Sequence, residues 1–238
     1  VSGEVMVFVV LAVVALILVN TQAVTSLTTE RDGQTLELLL VTEVSAREFV
    51  FSKMGGIFFN SKEIILAPML YLTMAWVRGG VDLESLIFSL FGFLILVVFA
   101  ATLGLHQGFA YTSSRSAILN SMGTVFLLFV GTFICMILMV ESRSSFALQF
   151  VSFLGFIGGG SLGLWSSLTH RISSTALAIA ASILPFLTFY AVVSFLLEDT
   201  AAVFAALGFA YLFTTAAMLI PAVSAFEVAL GRATLERG

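Results

Sequence analysis

Apolar residues run along this chain in long continuous blocks separated by short polar stretches, with no period-two alternation. A window of about 19 residues picks out seven blocks, at 5–24, 54–77, 86–109, 117–140, 146–165, 175–197 and 201–223. Each approaches the roughly 20 helical residues that cross a hydrocarbon core of about 30 Å. Continuous apolar runs favour helices over barrel strands, which alternate lipid-facing and lumen-facing positions. The expected fold is an all-α polytopic membrane protein with about seven transmembrane helices in a single domain spanning 1–238. No boundary of a soluble domain and no internal repeat is visible.

Composition agrees. Of 238 residues, 60% are hydrophobic and 10% charged, and the mean hydropathy is +1.13. A soluble domain carries about 25% charged residues, so too few are present to coat a surface facing water. The 24 Phe and 3 Pro exclude a disordered or collagen-like chain. Cys135 is the only cysteine and forms no disulfide within the chain. The sequence opens at Val1 and enters an apolar run at once, so a natural N-terminus with one further span is expected upstream. No basic n-region or cleavage site marks this run as a signal peptide.

Basic residues set the expected orientation. With the long polar stretch 28–53 in the cytoplasm, alternation places Arg31, Arg47, Lys53, Arg115, Arg171, Arg232 and Arg237 inside. Arg78 and Arg143 fall outside, together with the acidic residues Asp82, Glu84, Glu141, Glu198 and Asp199. This is the positive-inside bias, and it puts the C-terminus in the cytoplasm of an inner (cytoplasmic) membrane protein. Trp76 and Trp165 stand near span ends, as interfacial anchors do.

The second block is interrupted by Asn60, Ser61, Lys62 and Glu63. The apolar remainder, 64–77, covers about 21 Å at 1.5 Å per residue, too little to cross alone. Either the helix crosses from Met54 with the polar tetrad in its inner half, or 48–60 first lies along the interface. Charged side chains at depth usually face a bundle interior or a wet cavity, which makes Lys62 and Glu63 candidates for a translocation path. Snorkelling to the headgroups is the plainer explanation. The glycines of 146–165 are expected to let helices pack closely within a full span.

The stretch Thr28 to Lys53 has its own logic. Asp32-Gly33 is a turn signal. Residues 34–42 favour helix, with Leu36, Leu39 and Leu40 on one side, although Glu37 and Leu38 blur the division. Ser45 and Glu48 form a capping box that restarts a helix leading into the membrane. A short leucine-bearing helix is thus held between two spans, and its leucines need a covering surface.

In these residues the chain resembles the permeases of type-2 ATP-binding-cassette (ABC) transporters. Those proteins carry a stretch like E-R-E-x-G-T-L-E-L-L-L-x-T-P-x-S-x-x-E-x-x-x-x-K. Here stand Glu30-Arg31-Asp32, Thr35-Leu36-Glu37-Leu38-Leu39-Leu40, Thr42, Ser45, Glu48 and Lys53. Gly33 sits one place early and Glu43 replaces the usual proline. Gly79-Gly80-Val81, Leu103-Gly104-Leu105 and Ser114-Arg115-Ser116 are also similar to the family, so the likeness covers about 5–120. The family has six spans with a full hairpin before the loop, whereas one span precedes it here. The resemblance implies that 34–42 is a coupling helix docking on a separate ABC ATPase subunit. Contacts would run from Glu30 and Arg31 through the TLELLL stretch to Thr42, Ser45 and Glu48. It also implies a dimer with a second permease copy or homologue, and ATP and Mg bound by the partner rather than by this chain.

Other chemistry is missing. There is no G-x-x-x-x-G-K-[ST] phosphate loop, no metal-ligand spacing, and too few basic residues for nucleic acid. His106 and His170 stand apart and read as helix-end histidines near headgroups. Two other functions are conceivable. An ion-coupled secondary transporter would use Lys62, Glu63 and Glu227. An intramembrane serine protease would use the Gly159-Gly160-Ser161-Leu162-Gly163 match to G-x-S-x-G, with His106 or His170 as base.

Overall fold

The computed structural model describes residues 3–33, 45–141, 146–170 and 174–229. Among them seven long helices follow one another and no strand occurs. They are α1 (Gly3–Asp32), α2 (Ala46–Val77), α3 (Leu83–Ala110), α4, α5, α6 (Thr175–Leu196) and α7 (Thr200–Ala229). Helix α4 comprises Ser114–Val125, a π-helical turn Phe126–Gly131 and Thr132–Glu141. Helix α5 comprises Phe146–Phe153, a second π-helical turn Leu154–Gly158 and Gly159–Leu168. Six of the seven contain a segment long and apolar enough to cross a membrane, α2 being the exception. In hydrocarbon every backbone polar group must be bonded internally, and a helix does this within one segment.

Helix α1 runs well past its apolar block. Along its polar end hydroxyls bond back to carbonyls of the preceding turn, Thr21 to Ile17, Thr25 to Thr21 and Ser26 to Ala23, at 2.7–2.8 Å, and so are satisfied within the helix. Helix α2 is continuous from Ala46 to Val77, so no break in the helix separates 48–60 from the residues that follow. Val50, Met54, Ile57, Ser61, Pro68, Leu72 and Ala75 form one buried stripe at spacings of three, four and seven. The polar tetrad is divided by this stripe. Ser61 turns inward and donates to Gln22 of α1, while Asn60, Lys62 and Glu63 point outward.

Helix α3 lies at the centre. One face joins the core shared with α1 and α2 through Phe93, Val97, Ala100, Ala101 and Leu105. The other, through Phe99 and Leu103, joins a second core built with α4 to α7. Phe99 meets Tyr211 of α7 edge-on, with ring centroids 4.7 Å apart. In lipid such packing, rather than release of water, holds helices together.

The close approaches are not where they were expected. On α5, Gly155, Gly158, Gly159 and Gly163 face open space, and only Gly160 has a neighbour, the Leu127 side chain at 3.5 Å. Helix α5 is peripheral and packs mainly on α6, so its glycines bring no helix of this chain close. The tight crossing is between α3 and α1. A Cβ on Gly104 would stand 2.7 Å from the Asn20 carbonyl oxygen and 2.9 Å from the Val24 nitrogen.

Candidate functional site

Two places in the bundle combine polar groups with geometry that a simple anchor would not need. The first is the root of the 28–53 loop. Arg31, in the last turn of α1, reaches the end of α3, where helix carbonyls lack intrahelical partners. Its guanidinium donates to the carbonyls of Gly108 (3.0 Å) and Tyr111, and to the Ser114 hydroxyl (3.0 Å). The Ser114 hydroxyl donates in turn to the Asp32 carboxylate at 2.6–2.7 Å, which stands at the start of α4, where the helix dipole favours negative charge. Lys53 of α2 pairs with Glu30 of α1. Both flanks of the loop are therefore tied to the bundle, by Glu30 and Arg31 on one side and Lys53 on the other.

Ser45 and Glu48 form the expected capping box. The Ser45 hydroxyl accepts from the Glu48 amide at 3.3 Å, and the Ser45 amide donates to the Glu48 carboxylate at 3.0 Å. These bonds from Ser45 hold the Glu48 carboxyl below its ordinary value. Thr35, Leu36, Glu37, Leu38, Leu39, Leu40 and Thr42 lie outside the described residues.

Beside this root, α3 is bolted to α5. Gln107 donates to Ser167 (2.9 Å), His106 bonds the Leu168 carbonyl (3.0 Å), and Tyr111 stacks on His170 at 4.4 Å between centroids. His106 is 1% exposed, so it is an interhelical strut rather than a residue facing headgroups. The Ser161 hydroxyl lies within bonding distance of the Ile157 and Ser182 carbonyls. His106 is held at Leu168, about 10 Å further along α5 at 1.5 Å per residue, so serine and histidine do not meet. Lys62 lies over the Phe59 ring at 4.1 Å on the exposed side of α2, and neither Lys62 nor Glu63 is in the lining of the cavity described next.

The second place is a cavity of about 470 Å³ toward the opposite end of the bundle. Helices α1, α3, α4, α6 and α7 line it, with Leu72 of α2. Its wall is mainly apolar, and the polar contributions come from Asp82, Ser85, Ser89, Thr188, Glu198 and Thr200. Asp82 caps α3, accepting from the Ser85 amide at 3.0 Å. Bonds from Ser85 hold its carboxyl below the ordinary value, so it is ionised at neutral pH.

Two helix ends converge at the mouth with the same turn. At the end of α2, Gly79 donates to Trp76 and Gly80 to Ala75; at the end of α6, Glu198 donates to Phe195 and Asp199 to Ser194. Both are Schellman motifs, whose turning residue adopts a left-handed conformation. Gly79 has φ 77° and Glu198 φ 62°.

The cavity lining and the α3–α5 struts were not foreseen, because nothing local announces which face of an all-apolar helix meets a void. The Glu198 turn carries no glycine signal. Among the described residues no cluster of His, Cys, Asp or Glu is arranged to hold a metal.

No protein-family model, curated protein or solved structure matches this chain. Fold and composition define it as a polytopic all-helical membrane protein.

Proposed function

We propose that this chain is the membrane-spanning permease subunit of an ABC-2-type transporter, exporting its substrate with ATP hydrolysed by a separate subunit. The observation that carries the reading is the E-R-D-G-Q-T-L-E-L-L-L stretch that runs from the last turn of α1 toward α2, with Glu30–Lys53 and Arg31 tying its flanks to the bundle. A short helix moved by a partner transmits force only if its ends are firmly attached, and these contacts supply the attachment. A helix seated in a partner's groove is a common mode of recognition. The cavity at the other end supplies room for cargo within the usual range for small ligands, about 300–1,000 Å³. In this reading the loop and the C-terminus face the cytoplasm, as the distribution of basic residues requires.

The test is purification of the tagged chain from its native membrane, followed by ATPase assay. An ATP-hydrolysing chain with a phosphate loop is expected to co-purify with the wild type. The Leu39→Asp/Leu40→Asp variant should insert normally yet lose that partner and its ATPase activity. Equal recovery of the ATPase with both chains would refute the coupling role.

A further inference from the structure

The cavity is polar at one end and apolar along the rest of its length. Asp82, Ser85, Ser89, Glu198 and Thr200 enter its wall at, or within two turns of, the ends of α3, α6 and α7. Deeper in, Leu16, Leu96 and Phe129 form the floor. Thr188 also lines this deeper part, but its hydroxyl is bonded to the Leu184 carbonyl and to Tyr211, each at 2.7 Å. At 1.5 Å per residue the lining runs about 16 Å along α1, from Val5 to Leu16. That matches the depth of one leaflet, half of a hydrocarbon core of about 30 Å.

The cavity also opens sideways. Helix α1 packs on Ser114–Val125 of α4 and parts from α4 beyond the π-helical turn. Along that gap Val5, Val9 and Val13 of α1 and Phe133 of α4 line the cavity while remaining partly exposed. Their outward neighbours Val10, Val14, Ile134 and Ile137 are exposed and apolar, a surface suited to lipid tails. An opening of this kind admits a guest from the hydrocarbon rather than through water.

We propose that the cavity takes up a single-chain lipid of the leaflet opposite the 28–53 loop, its acyl tail along α1 and its headgroup level with Asp82, Ser85 and Thr200. The headgroup is one without net negative charge, because an anionic head would stand beside the exposed Asp82 carboxylate, and like charges repel. As transported cargo this lipid rests on the permease reading above, whereas as a bound ligand it stands without it.

The probe is palmitoyl lysophosphatidylcholine with a photoreactive diazirine at the end of its tail, added to the full chain in lipid nanodiscs. After illumination, peptide mass spectrometry is expected to find Leu16, Leu96 and Phe129 labelled about tenfold more heavily than the lipid-facing Val14 and Leu18. Ala191→Trp narrows the cavity from its wall, and Val13→Trp narrows it at the opening. Both should bring labelling of the floor down to that of Val14 and Leu18. Val13 is partly exposed, so its replacement tests the site even where the buried Ala191 does not tolerate tryptophan. The lysophosphatidylglycerol with the same tail should label the floor about threefold less, and Asp82→Asn, which still caps α3, should close that gap. Floor labelling no stronger than at Val14 and Leu18, floor labelling unchanged by Val13→Trp, or equal labelling by the two headgroups would each overturn the proposal. These substitutions leave the 28–53 loop intact, so co-purification of the ATPase tests the coupling assignment separately.

Discussion

Gly104 and Gly155 look alike in sequence, each a glycine inside an apolar run, yet the bundle treats them oppositely. Gly104 brings α3 against the backbone of α1, and two of the three atoms nearest an added Cβ are main-chain atoms that cannot swing aside. Gly104→Ala should destabilise the protein by about 1–3 kcal/mol, whereas Gly155→Ala, facing open space, should stay within about 0.5 kcal/mol. Thermal unfolding midpoints in detergent check both, and equal midpoints would remove the special role of Gly104. Polar residues divide similarly. Asn20 donates to the Ala100 carbonyl and accepts from Ser121, each at 3.0 Å, so one amide joins three helices. Ser26, on the same helix, bonds only its own previous turn among its described contacts. Neither difference is legible from residue type, because both depend on which way a uniformly apolar helix is rotated.

Helix α2 shows how much of an element local rules can reach. The Ser45–Glu48 capping box was legible because its chemistry is contained in four residues. Ser45→Ala should cost about 0.5–2 kcal/mol, read as faster amide hydrogen exchange over residues 46–50 with little change at 64–77. The cap also carries a pH signature. The Glu48 carboxyl is lowered in the folded chain, so its contribution is complete above the ordinary carboxylate value and is lost as pH falls through the lowered one. Protection of the first turn, taken relative to the intrinsic exchange rate at each pH, should therefore fall under acid conditions in the wild type and be less pH-dependent in Glu48→Gln. The continuity of α2 through its polar tetrad was open in the sequence. The packing of Ser61 on Gln22 closes the question, since it gives the inward-facing polar group of the tetrad a partner. The π-helical turns in α4 and α5 were not legible at all. They approach each other where the tip of the Phe156 ring reaches Gly131, a tertiary fit that no local propensity encodes.

For the whole bundle, the proposed orientation makes a direct prediction. In a Cys135→Ala background, a cysteine at Thr35 should react with an impermeant maleimide only after the membrane is opened. A cysteine at Gly79 should react in intact cells. The reverse pattern would place the leucine-bearing loop outside and end the permease reading. The same frame separates the two polar centres: the loop root gathers the ends of α1 and α3 and the start of α4, while the cavity lies beyond the Gly104 crossing among the opposite helix ends. Helices α1, α3 and α4 run from the loop root to the cavity wall and join the two centres.

The seven helices, the class of protein and the capped restart at Ser45 follow from the order of residues alone. Hydrocarbon permits few spanning structures and helix caps are local, so runs of apolar side chains leave little choice of element. The rotation of each helix about its axis was settled only by packing. A helix apolar on every side has no preferred face until its neighbours supply glycine contacts, hydrogen-bond partners and voids. Those contacts decided that α3 is central, that Lys62 and Glu63 point outward, and that two distant carboxylates, Asp82 and Glu198, border one aromatic cavity.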